Sequence, residues 1–173
     1  MTRILSEKYR SKVMGAEEAA RLIKNGDTIG FAGFTGSGYP KAIPVALAAE
    51  IKAAHARGDE FKVNVLTGAS TAPELDGALA EVDGVGMRMP YQSDPFMRKA
   101  INNGTSQYHD VHLSHSGPQV RAGFWGTLDW AIIEVTKIKE DGSIVPSSSV
   151  GNNNVYLECA DKIILEVNTW QSE

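Results

Sequence analysis

Two seven-residue runs near the end of the chain echo one another: Asp129-Trp130-Ala131-Ile132-Ile133-Glu134-Val135 and Asp161-Lys162-Ile163-Ile164-Leu165-Glu166-Val167. Both are almost continuously apolar, without strict alternation, as expected of strands covered on both faces. Such strands belong to parallel sheets, whose neighbours must be joined by long crossovers, usually helices. The rest of the chain supplies that alternation. Strand-like runs at residues 27–34, 61–67, 85–89 and, more faintly, 107–110 alternate with helical spacing at 16–24, 41–57 and 73–81. Asp94 and Pro95 open a further helix that Asn103-Gly104 closes. Helices are also expected at 119–124 and 154–159, with a turn at 140–142 and a short strand near Ile144. The expected fold is α/β, a mainly parallel sheet with flanking helices in a single domain over residues 1–173. After the second run and Asn168 the sequence closes on Thr169-Trp170-Gln171-Ser172-Glu173, without a covering helix, so the domain reads as one cut short.

At 173 residues the chain is long enough to bury about 70% of its unfolded surface in one domain. Lys and Arg number 17 against 21 Asp and Glu, a formal charge of −4. Nucleic acid and anionic membranes need a basic field, so neither is an expected partner. No apolar run approaches the roughly 20 residues of a membrane span. The first fifteen residues carry Arg3, Lys8, Arg10 and Lys12 but no apolar stretch, which does not match a secretory signal. Glu7 counts against a mitochondrial presequence. The one cysteine, Cys159, has no intramolecular partner and suits a reducing compartment. Cytoplasm is the expected location, with the mitochondrial matrix as the alternative in a eukaryotic source.

Ligands of open α/β sheets gather at the carboxyl ends of the strands. Four loops fall there. Gly33-Phe34-Thr35-Gly36-Ser37-Gly38-Tyr39-Pro40-Lys41 combines close backbone approach with a following helix whose free N–H groups suit an anion. It lacks both the Gly-Lys-Ser/Thr of a nucleotide loop and the third glycine of a dinucleotide loop. Small-acid binding and a plain tight turn both remain open. In Leu66-Thr67-Gly68-Ala69-Ser70-Thr71, Ser70 is not set in a nucleophile elbow, so it caps a helix or holds a substrate oxygen. Between Arg88 and Asp94, Tyr91 and Ser93 offer hydrogen bonds with Arg88 near a carboxylate, on what is also a capped turn. The fourth loop, 145–154, is rich in donors and opens a helix; oxygen-rich ligands and plain solvation both suit it.

His109, His112 and His115 are spaced by three, and imidazole is a good zinc ligand. The trio falls where a strand gives way to a loop, and the zincin signature is absent, so no metal site is assigned. Glu134 and Glu166 lie in apolar strands, suited to acid–base work or to pairing with a buried cation. Their shared place in the repeat favours a structural role.

In order, the segments GFTGSGYPK, LTGAST, RMPYQSD with MRKAINNG, DGSIVPSSSVGN and ADKIILEVNTWQ resemble the acetyl-CoA hydrolase/transferase family, over roughly Arg10 to Trp170. Within it, the chain is most similar to succinyl-CoA:acetate CoA-transferases. The resemblance implies a class I coenzyme A transferase fold of two α/β domains with the active site between them, this chain forming the N-terminal one. It implies transfer of CoA from an acyl-CoA to a small carboxylate through a glutamyl thioester, with no cofactor beyond the CoA thioester substrate. In the family the nucleophilic glutamate lies in the C-terminal half, so no catalytic residue is expected here. The carried-over acid-binding wall is Phe34, Thr35, Gly38, Ser70, Tyr91 and Ser93, with Val150, Gly151 and Asn152 shaping the mouth. A homodimer is implied. The alternatives are an acetyl-CoA hydrolase, and a standalone module that binds a small acid or a partner subunit without catalysis.

Overall fold

The computed structural model describes residues 3–172, apart from the side chain of Ser70. Strands β1 (Thr28–Thr35), β2 (Val63–Ser70), β3 (Val85–Met89), β4 (Gln107–Tyr108), β5 (Leu128–Ile138), β6 (Ile144–Pro146) and β7 (Ala160–Val167) form one sheet in the order β4-β3-β2-β1-β5, with β6 and β7 both paired to β5. Every pairing but one is parallel; β6 returns antiparallel against the second half of β5. The carboxyl ends of the parallel strands therefore open along one edge.

Helices cover both faces. On one lie α2 (Ala16–Ala20), α3 (Ala42–Ala56), a π-helical turn (Pro73–Gly77) running into α4 (Ala78–Glu81), and α5 (Pro95–Asn102). Their Ala20, Leu47, Ile51, Leu75, Leu79 and Met97 pack on Ile29, Phe31, Trp130 and Ile132. On the other lie α6 (Leu113–Arg121) and α7 (Asn153–Cys159), whose Val120, Val155 and Tyr156 meet Ala131, Ile133 and Val135. Successive residues of β5 feed opposite cores, which is why its run is apolar throughout. Gly30 provides room for α7: a Cβ there would lie 2.6 Å from Tyr156 Cγ. A four-residue helix, α1 (Glu7–Arg10), precedes these elements. No helix among the described residues is long and apolar enough to cross a membrane.

Four details differ from the sequence expectation. α2 stops at Ala20 instead of residue 24, where the chain turns and Lys24 N–H donates to Asp27 Oδ2 at 2.8 Å. β2 continues past the expected end at Thr67 to Ser70, so Gly68–Ser70 is strand and not loop. The helix expected at 119–124 begins at Leu113. Gly117 and Pro118 are poor helix formers, yet both lie inside α6, where a Cβ on Gly117 would come within 3.2 Å of Val155 Cγ2. Finally, β7 is not covered on both faces: Asp161, Lys162 and Ile163 are exposed, because its only strand partner among the described residues is β5.

Candidate functional site

The carboxyl edge of β1 ends in a tight turn. Phe34 and Ser37 exchange backbone hydrogen bonds of 2.8 and 3.1 Å, and Thr35 between them sits at φ +50°. A β-branched residue in that left-handed region is strained, and such strain gathers at functional positions. The fourth loop folds back onto this turn. Ser37 Oγ bonds Ser148 Oγ at 2.9 Å, and Ser149 Oγ donates to the Ser37 carbonyl at 2.8 Å. Gly38 and Gly151, both at positive φ, permit the approach; a Cβ on Gly38 would strike Ser149, and one on Gly151 the Gly33 carbonyl. Segments more than a hundred residues apart thus form one wall carrying Phe34, Thr35, Gly38, Val150 and Gly151.

The second and third loops join it. Ser70 pairs with Thr35 in the β1–β2 register; its side chain lies outside the described atoms. Thr71 N–H reaches the Thr35 carbonyl at 3.4 Å, and Ser93 N–H donates to Thr71 Oγ1 at 3.1 Å. Phe34, Tyr91 and Val150 are each about half exposed, at 50%, 50% and 52%, so the rim presents apolar surface beside its polar groups. Beneath the rim, Gln92 Oε1 in the third loop and Ser147 Oγ and both amide atoms of Asn153 in the fourth are buried without a hydrogen-bond partner among the described residues.

Other expected roles are corrected. The N–H groups opening α3 are not free for an anion: Glu166 from β7 accepts from Lys41, Ala42 and Ile43 at 2.7 to 3.1 Å. Its charge suits the positive end of the helix dipole. The carboxylate near Arg88 is the chain's own Asp76, 2.7 Å away, with both side chains fully buried. Asn152, half-buried beside Gly151, donates from Nδ2 to Ser116 Oγ at 2.9 Å. Glu134 is buried and takes a 2.7 Å bond from Lys41 Nζ, the structural role its place in the repeat suggested. Beside it, burial and the 2.7 Å hydrogen bond to Glu74 raise the Tyr39 phenol above its ordinary pKa, so it stays a donor.

The His109 ring lies tilted against Trp125, centroids 5.0 Å apart, while His112 caps α6 by accepting from Ser114 N–H. Among the described residues no three His, Cys, Asp or Glu side chains are grouped to hold a metal. Two shallow hollows lie away from the rim. One, about 260 Å³, is lined by Val120, Arg121, Leu128 and Cys159 at the amino end of β5. The other, about 350 Å³, lies between Asp83, Phe96 and Lys99. Sequence reasoning passed over Thr71, Asp76 and Lys41; only the single lysine after a glycine loop carried a signal, and its partners lie far along the chain.

The family model for the acetyl-CoA hydrolase/transferase N-terminal domain matches residues 2–172. A succinyl-CoA:acetate CoA-transferase of Clostridium kluyveri is 42% identical over 169 residues, covering 98% of this chain and 31% of that protein. An acetyl-CoA hydrolase of Candida glabrata is 42% identical over 168 residues, covering 93% of this chain and 32% of that protein. The chain thus spans about a third of the length of these curated relatives. The glutaconate coenzyme A-transferase of Acidaminococcus fermentans shares the fold, with a TM-score of 0.65 at 15% identity, covering 95% of this chain and 68% of that one.

Proposed function

Because the chain belongs to the acetyl-CoA hydrolase/transferase family, we propose that it forms the acid-facing wall of an enzyme moving coenzyme A between an acyl-CoA and a small carboxylate. The observation that carries this reading is the rim itself, where four loops converge through the Ser37–Ser148, Ser149–Ser37, Thr71–Thr35 and Ser93–Thr71 hydrogen bonds. A small carboxylate with an apolar body matches such a mixture of half-exposed Phe34, Tyr91 and Val150 beside hydrogen-bonding groups. Ser70 holds the substrate carbonyl or carboxylate oxygen, and Tyr91 and Ser93 donate to it. Thr35 and Gly38 shape the floor, while Val150 and Gly151 border the mouth.

The chemistry is covalent exchange. A glutamate oxygen attacks the thioester carbonyl carbon, the C–S bond breaks, and CoA thiolate leaves an acyl-glutamyl anhydride. The thiolate then attacks the glutamyl carbonyl, the C–O bond breaks, and the first acid departs from a glutamyl thioester. A second carboxylate runs the same steps in reverse. As the family resemblance implies, that glutamate belongs to a part of the protein outside these residues; within them Glu134 Oε2 is engaged by Lys41, and Glu166 caps three amides of α3. Coenzyme A enters as substrate, and no metal or further cofactor takes part. A cytoplasmic homodimer is the assembly this reading carries.

The test is isotope exchange. The complete protein of the source organism, given succinyl-CoA and labelled acetate, is expected to form labelled acetyl-CoA, while residues 1–173 alone form none. Free CoA accumulating without labelled acetyl-CoA would mean that water outcompetes the second acid, and the enzyme is a hydrolase. Binding of succinate by residues 1–173 beside an inert complete protein would sink the transferase reading in favour of a binding module. Sustained turnover by residues 1–173 alone would falsify the external nucleophile.

A further inference from the structure

Three of the four rim loops meet at the last residue of the LTGAST segment. Thr71 follows directly on β2, donates its N–H to the Thr35 carbonyl at 3.4 Å, and accepts at its hydroxyl from Ser93 N–H at 3.1 Å. It therefore ties the strained turn of the first loop to the third. The residue after it is held from beneath: Ala72 N–H donates to Asp76 Oδ2 at 3.1 Å, and Asp76 Oδ1 accepts from Arg88 Nε at 2.7 Å. Arg88 Nη1 also donates to Thr67 Oγ1 at 3.1 Å and to the Met89 carbonyl at 2.8 Å. The ends of β2 and β3 and the π-helical turn are thus pinned to a single guanidinium.

Arg88 and Asp76 are both fully buried. A buried ion pair is a poor source of net stability, since apolar residues of similar volume often do as well or better. Its planar fork does fix directions in space. Here those directions set the position of Thr71, and through it the spacing of Phe34 and Thr35 from Tyr91 and Ser93. Resting on the transferase reading above, we infer that Thr71 is a positioning residue for the acid-facing rim, held in place by the Arg88–Asp76 pair. Carboxylate exchange depends on placement within about an ångström, and a misplacement of that size lowers rates by as much as roughly a hundredfold.

The experiment uses the complete enzyme. Thr71→Val removes the acceptor hydroxyl at nearly constant volume, and Thr71→Ser restores it. The valine variant is expected to lose between about tenfold and a hundredfold in kcat/KM for acetate. Its KM for succinyl-CoA and its Tm are expected to stay near those of the unaltered enzyme, with the serine variant recovering most of the loss. A merely structural threonine would instead lower Tm and leave the kinetic constants of the folded enzyme alone. The paired change Arg88→Met with Asp76→Leu is expected to keep the fold and show the same acetate-selective loss; if it does not fold, Thr71→Val decides. Unchanged acetate kinetics in Thr71→Val, with the unaltered enzyme active, overturn this inference alone. An unaltered protein that neither transfers nor hydrolyses overturns the functional reading and this inference with it.

Discussion

β5 and β7 carry near-copies of one sequence and meet different surroundings. In β5, Ala131, Ile132, Ile133 and Val135 are completely buried, because β1 and β7 flank the strand and helices cover both faces. In β7, the register partner of Ala131 is Ile163, which is 48% exposed, and Ile164 and Leu165 are only partly buried. The two glutamates diverge in the same way. Glu134 is buried and paired with the Lys41 ammonium, whereas Glu166 reaches across to the amides that open α3. An apolar run thus states a capacity for burial, and the neighbours in the sheet decide how much of it is used.

Core truncation is the strongest way to break this comparison. Ile132→Ala is expected to cost about 2–5 kcal/mol, and its register partner Ile164→Ala about half as much or less. Urea unfolding of residues 1–173 gives both values, and equal losses would show β7 to be as enclosed as β5. The glutamates give the next largest contrast. Glu166→Ala leaves α3 uncapped, for an expected loss of about 1–2 kcal/mol. Glu134→Leu is expected within about 1 kcal/mol of neutral, because an apolar replacement fills the buried site and the half-exposed Lys41 returns to water. A larger loss from Glu134→Leu than from Glu166→Ala would reverse the assignment of which glutamate matters to the fold. The smallest effect concerns β1, whose end is strained where that of β7 is not. Thr35→Gly relieves the positive φ and is expected to raise stability by up to about 1 kcal/mol. The same change is expected to lower acetate kcat/KM in the complete enzyme; a stability gain with intact kinetics would mean that the strain serves no purpose at the rim.

Much of this architecture was legible in consecutive residues. The α5 boundaries followed from Asp94, whose side chain accepts from Phe96 and Met97 N–H, and from Asn103-Gly104. β3 lies where its apolar run predicted. α6 was misread because Gly117-Pro118 is unfavourable in an isolated helix, and packing against α7 overrides that preference. At the site, the glycine loop and the serine- and asparagine-rich loop each stood out, but nothing local said that Ser37 would meet Ser148. Nor did the local sequence show that the inviting N-terminus of α3 would be filled from β7.

The sequence by itself determined the alternation of strand and helix, the sheet it implies, and the family to which the chain belongs. Side-chain period and turn chemistry act between near neighbours, so they can be read in order along the chain. Only the tertiary structure decided which copy of the repeated run is buried, which glutamate caps and which pairs, and that Thr71 joins three loops. Those outcomes depend on register between strands far apart in the chain. A shift of one residue there would send every side chain to the opposite face.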